Sequence, residues 1–163
     1  TIGGKVLSGM KGTMLECGGL VPMIACWPGK TPAGRVCADL IDSTDFVVTC
    51  AVLTGAKLRS DMTFDGQSIA PQLLRQPAKS REWVFNQLAR MWYVRDAQWK
   101  LNEKGELYDM SGAPFTETLV QGPHEARTRL EAVLAKLNPA GGILDQGDGS
   151  GRHANKEKKK AKE

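Results

Sequence analysis

The sequence predicts an α/β chain: one core-type strand and a helix, then a small antiparallel sheet against which a C-terminal helix packs. Three observations carry this. The apolar run Val21–Trp27, stopped by Pro28-Gly29, is too short for a helix and reads as a buried strand. Aromatic stretches of alternating polarity between Glu82 and Met110 read as neighbouring strands. In "EARTRLEAVLAKL", Glu125–Leu137, the residues Leu130, Val133, Leu134 and Leu137 form one apolar stripe, with Pro123 ahead of it and Asn138-Pro139 behind. At 163 residues the chain is long enough to bury a core.

Taken in order, the chain opens on the glycine-rich stretch "VLSGMKGTMLECGGLVP", Val6–Pro22. Gly4 and Gly9 stand at the spacing that begins a phosphate-cradling G-x-x-x-x-G-K-[ST] loop. Met10, however, separates Gly9 from Lys11, the hydroxyl arrives only at Thr13, and no apolar strand leads in, so a surface turn is expected. After the Val21–Trp27 strand, "DSTDFVVTCAVLTGA" spaces its apolar residues by three and four. This predicts a helix capped by the hydroxyl of Ser43 or Thr44 and ended at Gly55. Residues 57–79 hold "FDGQS", Pro71 and Pro77 and read as a connector. "EWVFNQL", "RMWYVRD", "QWKLN" and, beyond a turn at Lys104-Gly105, "GELYDM" supply the sheet, with Trp83 and Phe85, and Trp99 and Leu101, in period-2 register. From Ala140 onward glycine, aspartate and lysine predominate, which predicts disorder. The expected division is therefore 1–76, 77–139 and a tail at 140–163. The first strand has nothing in this chain to pair with and Thr1 is not a methionine, so the expectation is the C-terminal part of something larger.

Composition narrows the function classes. The net charge is +4, and the five lysines and two glutamates of Lys156–Glu163 carry three of those charges, leaving a nearly neutral body. Such a run reads as a solvated tail, with no aromatic platform or basic helix beside it to suggest nucleic-acid binding. No apolar run approaches a membrane span and no signal segment opens the chain. Cys17, Cys26, Cys37 and Cys50 lie 9, 11 and 13 residues apart, without C-x-x-C pairs or histidines at ligand spacing. Buried thiols are expected, with the disulfide state and compartment left open. Glu16 invites a general-base reading, but no paired carboxylate or histidine stands at a fixed spacing, so a loop-organising carboxylate accepting backbone N–H groups is preferred. Asp42, Asp45 and Asp65 are scattered along a helix and a turn, which favours capping and turn roles over metal binding. No metal site is expected within the chain.

The order of motifs resembles the C-terminal part of the sulfatase family, the formylglycine-dependent sulfuric ester hydrolases on the alkaline-phosphatase-like fold. "KGTMLECGGLVPMIACWPGKTPAG" is similar to that family's K-G-T-x-x-E-G-G-x-R-V-P-x-I and W-P-G-x-x-x-x-G. "DFVVTCAVLTGA" resembles its D-x-x-P-T helix, and "DGQSIAPQL" its D-G-x-S-x-x-P-L. "REWVF", "YVRDAQWKLNEKGELYDM" and "APFTE" resemble its R-x-x-[VI]-[FY] and R-x-x-x-x-K-L strands, its E-L-Y-D-L hairpin and its D-P-x-E turn. The chain departs from these patterns at Cys17, Leu20, Val48 and Ala113, and the fold assignment is unaffected. The resemblance makes 1–76 the end of the large α/β domain and 77–139 a small C-terminal subdomain.

The resemblance also implies a role for Lys11, the lysine of K-G-T, which would contact the sulfate group and stabilise charge on its oxygens as the ester cleaves. Lys11 is the one catalytic residue it transfers to this chain; substrate-binding residues remain unassigned. The family's nucleophile, a formylglycine made within [CS]-x-P-x-R, has no counterpart here. Formylglycine and the divalent metal, calcium in most members, would both come from upstream sequence. By this reading the chain alone is inactive, its partners are a sulfated small molecule or glycan and the missing N-terminal sulfatase portion, and its setting is periplasmic or secreted. Two other readings stand beside it. One is a non-catalytic module that binds through Trp83, Trp92, Tyr93 and Trp99; the other is a phosphoester hydrolase of the same superfamily.

Overall fold

In the computed structural model, which describes residues 1–137, the chain runs α1 (Glu16–Gly19), α2 (Asp45–Thr54), α3 (Ala70–Leu73), β1 (Val84–Leu88), β2 (Met91–Arg95), β3 (Trp99–Asn102), β4 (Leu107–Asp109), β5 (Thr118–Val120) and α4 (Glu125–Leu137). The expected tail at 140–163 lies outside the described residues. The chain forms two units. One comprises Thr1–Gly19 together with the residues from Phe85 onward, and the other comprises Leu20–Val84.

In the first unit the five strands lie side by side in chain order, and β2 to β5 pair antiparallel. Short connections make this order the natural one. The β3–β4 turn forms at Lys104-Gly105 as the sequence predicts, with Asn102 Oδ1 accepting the N–H groups of Lys104 at 3.0 Å and Glu106 at 2.9 Å. Registered opposite one another, Val94, Leu101, Leu107 and Val120 form a row across one face. The first three are fully buried, as are Ala126 and Leu130 of α4, so the helix and this row make the core. Trp99 lies on the same face and packs its ring against His124, centroids 4.3 Å apart, just ahead of α4. The helix predicted over Glu125–Leu137 forms with those bounds. Strand β5 was not anticipated, because "TLV" is three residues long and Thr118 and Leu119 are exposed, leaving no alternation to detect. Of the four aromatics weighed as a binding platform, Tyr93 is buried, Trp83, Trp92 and Trp99 are half-buried, and Trp92 stacks against Phe85 at 6.3 Å.

The second unit is organised by α2. Its C-terminus closes as predicted at Gly55, whose left-handed backbone turns its N–H back to the Ala51 carbonyl. The N-terminus differs. Thr44 occupies the cap position but makes no side-chain cap; its hydroxyl and N–H both donate to Asp42 Oδ1, at 2.8 and 2.9 Å. The organising group is Asp45, completely buried, whose carboxylate pairs with Arg81 and accepts the N–H groups of Asp42 at 2.9 Å and Gln67 at 2.7 Å. Thr49, one turn on, accepts the Ile69 N–H at 3.0 Å. The "DGQS" stretch is thus held against α2 by side chains from the helix, and α3 follows within the segment read as a turn-rich connector.

Two expectations are corrected here. Val21–Trp27 forms no strand, and Val21 and Ile24 are 76% and 94% exposed. A lone extended run has no neighbour to complete its backbone hydrogen bonds and does not hold strand geometry by itself. The four cysteines are free thiols, but they are not buried: Cys17 is half-buried, and Cys26, Cys37 and Cys50 are exposed. Cys26 and Cys37 lie on irregular backbone with no apolar layer to cover them, and Cys50 points outward from α2.

Burial alone would raise the Asp45 carboxyl, but hydrogen bonds from Arg81 and from the Asp42 and Gln67 N–H groups outweigh it and hold the carboxyl below the ordinary value of 3.8. A depressed folded-state value means that this group's contribution is present above the ordinary aspartate range and is lost as pH falls through the folded value. Hydrogen-exchange protection of the Gln67 and Ile69 amides is expected to hold at neutral pH and to fall away only below about pH 4. Asp45→Asn should remove protection at every pH, because stripping one partner from a buried pair costs about 3–5 kcal/mol. Unchanged protection in that variant would show that the pair does not organise the unit.

Candidate functional site

The loop Ser8–Gly19 holds the residue that the sequence singled out. Its apex is a turn over Met10–Thr13, in which the Thr13 N–H donates to the Met10 carbonyl at 3.0 Å. The Thr13 hydroxyl closes it a second time, donating to the Met10 carbonyl at 2.7 Å while accepting the Met10 N–H at 3.1 Å. Gly12 has φ +87°, a conformation that a side chain would strain. Lys11 sits at the tip of this closed turn. It is exposed, and among the described residues it has no hydrogen bond or ion pair.

The stem is tied far more heavily than the tip. The Ser8 N–H donates to the Pro114 carbonyl at 2.8 Å, and the Cys17 N–H donates to the Ser8 carbonyl at 3.0 Å, so the two ends of the loop are joined to each other and to the β4–β5 connection. Gly18 lies so close beneath the turn that a Cβ there would run into the Thr13 carbonyl. Glu16 is buried in α1. Its carboxylate accepts two hydrogen bonds from Arg95 Nη1, at 2.6 and 2.5 Å, and its N–H donates to Glu117 Oε1 at 2.5 Å. The other oxygen of Glu117 pairs with Lys100, and Lys100 Nζ also donates to the Met14 carbonyl at 3.2 Å. The Lys100 and Glu117 side chains are each 3% exposed, which places this pair among the most deeply buried charges in the unit.

The sheet register explains the convergence. Arg95 lies opposite Lys100, and Lys100 opposite Tyr108, so the three share the face turned away from α4. On that face the Lys100 ammonium lies over two rings, 5.2 Å from the Tyr93 centroid and 5.4 Å from that of Tyr108. Burial pushes both phenols up, that of Tyr108 to about 12 with the help of its hydrogen bond to Glu106, so both stay neutral rings at physiological pH. The Tyr93 hydroxyl accepts from Asn86 Nδ2 at 3.1 Å.

Sequence reasoning placed Lys11 and Glu16 in this loop, and the structure places them there. Glu16 does organise the loop, yet its carboxylate is satisfied by a guanidinium rather than by backbone N–H groups, and a carboxylate so engaged is poorly placed to take a proton. Asp42 makes the Asx-type turn expected of it, Asp45 forms the buried pair of the other unit, and Asp65 is exposed. Among the described residues no three His, Cys, Asp or Glu side chains converge where they could hold a metal ion. Arg95, Lys100 and Glu117 were missed. The available signals were the R-x-x-x-x-K-L resemblance, whose two charges are Arg95 and Lys100, and the lysine inside "QWKLN", a charge at a position where a short aromatic strand is covered on both faces.

No family model matches the chain. Among curated proteins it is 32% identical over 107 residues to arylsulfatase D of Homo sapiens, covering 65% of this chain and 17% of that protein. It is 41% identical over 64 residues to N-acetylgalactosamine-6-sulfatase of Canis lupus familiaris, covering 39% of this chain and 12% of that protein. To arylsulfatase A of Bos taurus it is 39% identical over 75 residues, covering 46% and 14%. The chain thus spans between 12% and 17% of the length of these relatives. Among solved structures, a 2-O GAG sulfatase aligns with 59% of this chain and 23% of its own at 23% identity and a TM-score of 0.42. A sulfatase from Bacteroides thetaiotaomicron aligns with 58% and 23% at 22% identity and a TM-score of 0.41. By these sequence relatives, and in keeping with the order of its motifs, the chain is similar to part of the sulfatases.

Proposed function

We propose that this chain is a segment of an enzyme that hydrolyses sulfate esters, and that Lys11 is the group by which it contacts the sulfate. The observation that carries this reading is the contrast within one loop: an exposed ammonium with no partner among the described residues at the tip, above a stem whose charges are all engaged. As a sulfate ester cleaves, negative charge grows on the sulfuryl oxygens and on the departing oxygen. A cation already fixed in place stabilises that charge without reorganising at the moment of reaction. The names of the relatives, which include aryl and amino-sugar sulfatases, support a sulfated small molecule or glycan as the substrate class.

The resemblance further implies a formylglycine nucleophile and a divalent metal. The described residues do not fit either group, since no metal-holding cluster and no [CS]-x-P-x-R pattern are found among them, so both are proposed to come from upstream sequence. This chain's own share is then to present Lys11, to hold its turn rigid, and to form part of the substrate cleft. On this reading the isolated chain does not turn over, and the setting is periplasmic or secreted.

In the enzyme that carries this span, Lys11→Ala should lower kcat on an aryl sulfate by about a hundredfold or more while leaving the fold unchanged, the size of effect seen when one preorganised oxyanion donor is lost. Lys11→Arg should recover little, because a longer planar guanidinium does not replace a compact point charge at the tip of a tight turn. Steady-state kinetics with formylglycine content and metal saturation matched between preparations is the measurement; undiminished turnover in Lys11→Ala would sink the reading. Gly18→Ala, which forces the stem away from the Thr13 carbonyl, should also lower kcat, by about tenfold or more, since a displacement of about 1 Å at a positioned group costs that much. Val36→Ala, at a side chain 91% exposed, is the control and should leave the rate within about twofold.

A further inference from the structure

We propose that Lys100 and Glu117 are positioning residues for Lys11: the pair clamps the loop on both sides of Leu15 and so fixes where the exposed ammonium stands. The inference rests on the reading of Lys11 just given.

Three facts lead to it. The pair is not confined to the sheet, for Lys100 Nζ reaches the Met14 carbonyl at 3.2 Å and Glu117 Oε1 takes the Glu16 N–H at 2.5 Å. Met14 is one residue beyond the turn that carries Lys11, so the clamp closes on the backbone directly below it. The pair is also a costly way to fill a core. A buried ion pair is in general no more stabilising than apolar side chains of the same volume, and it needs extra hydrogen bonds to satisfy both charges. Here the extra partners are two aromatic faces and the two loop groups. Apolar residues could fill that space under the loop equally well, but they could not bond the Met14 carbonyl or the Glu16 N–H. What the charges add is therefore a register for the loop, which is the best-attested use of buried polar groups.

The test is the double replacement Lys100→Met/Glu117→Leu, which keeps volume and removes both loop bonds. In the 163-residue chain, hydrogen exchange should speed up at least tenfold at the Glu16 and Cys17 amides while the ladder amides of β3 and β4 stay protected. Unchanged protection at Glu16 overturns the proposal without reference to catalysis. If the ladder protection is itself lost, Glu117→Gln decides: it leaves an acceptor in place, is expected to speed exchange at Glu16 by about threefold, and full retention overturns the proposal. In the enzyme carrying this span, the double replacement should lower kcat on an aryl sulfate about tenfold or more with KM little changed. Made in a Lys11→Ala background it should cost nothing further, because a residue that acts through Lys11 has nothing left to position. Equal losses in both backgrounds would mean a structural role only and would overturn the inference. If Lys11→Ala alone leaves turnover intact, it is the reading of Lys11 that falls, and the exchange result still stands or fails by itself.

Discussion

The first unit depends on one carboxylate. Glu117 gives one oxygen to Lys100 and the other to the backbone N–H of Glu16, a residue 101 positions away in sequence. Together with the Glu16–Arg95 pair and the Ser8–Pro114 bond, this bridge holds on the sheet a stretch, Ser8–Gly19, that contributes no strand and leaves Met10 and Leu15 exposed. Its attachment is polar and directional rather than hydrophobic. Apolar area attracts any apolar surface, whereas a carboxylate that must satisfy an ammonium and an N–H together accepts one arrangement of the segments that carry them. Arg95 repeats the device one strand away by chelating the Glu16 carboxylate, so Glu16 is held from both ends, by its amide and by its side chain.

The second unit solves the same problem in the same way. Asp45 collects Arg81, the Asp42 N–H and the Gln67 N–H around one buried carboxylate, and in doing so joins a helix start, a turn and the chain entering β1. Close approach completes it: a Cβ on Gly66 would run into the Thr44 carbonyl. In both units a buried acid reads one backbone amide of a remote segment and is neutralised by a base from a third. Short irregular stretches cannot satisfy their own backbone groups, and each borrowed acceptor removes a penalty of about 1–3 kcal/mol for a buried orphan donor.

What was legible in the sequence follows from this. Helix α4 and strands β1 to β4 declared themselves through local sequence periodicity, because their apolar residues recur every 3.6 or two positions. Lys11 and Glu16 were placed in one loop by the pattern of motifs, but the partners that hold the loop were not, since Arg95, Lys100 and Glu117 are brought to it only by strand register. Lys100 shows the difficulty sharply: in "QWKLN" it occupies the position that a half-buried strand would turn to solvent, and the N-terminal loop covers it instead. The Val21–Trp27 segment misled in the opposite direction. Its composition satisfies every local criterion for a strand, but a strand is a pair of chains' worth of hydrogen bonds, and the described residues offer it no second chain.

The arrangement of charge in the first unit separates support from use. Lys100 is buried and Arg95 largely so, and both are paired and committed; removing a partner would cost several kcal/mol. Among the described residues Lys11 is none of these, and for the proposed role, a cation that meets charge developing only during a reaction, this is the required state. A lysine paired in the ground state would have to break that pair before helping the transition state, and the net gain would shrink by the strength of the bond lost. A lysine that was free but mounted on a loose loop would have to order that loop in each turnover, at about 1–2 kcal/mol for every residue fixed. Placing an unpaired ammonium on a turn closed by Thr13, above a stem closed by Glu16 and Glu117, avoids both costs. The glycines that first draw the eye in "GMKGTMLECGG" make the turn possible, and the acids and bases beneath it make the turn stay.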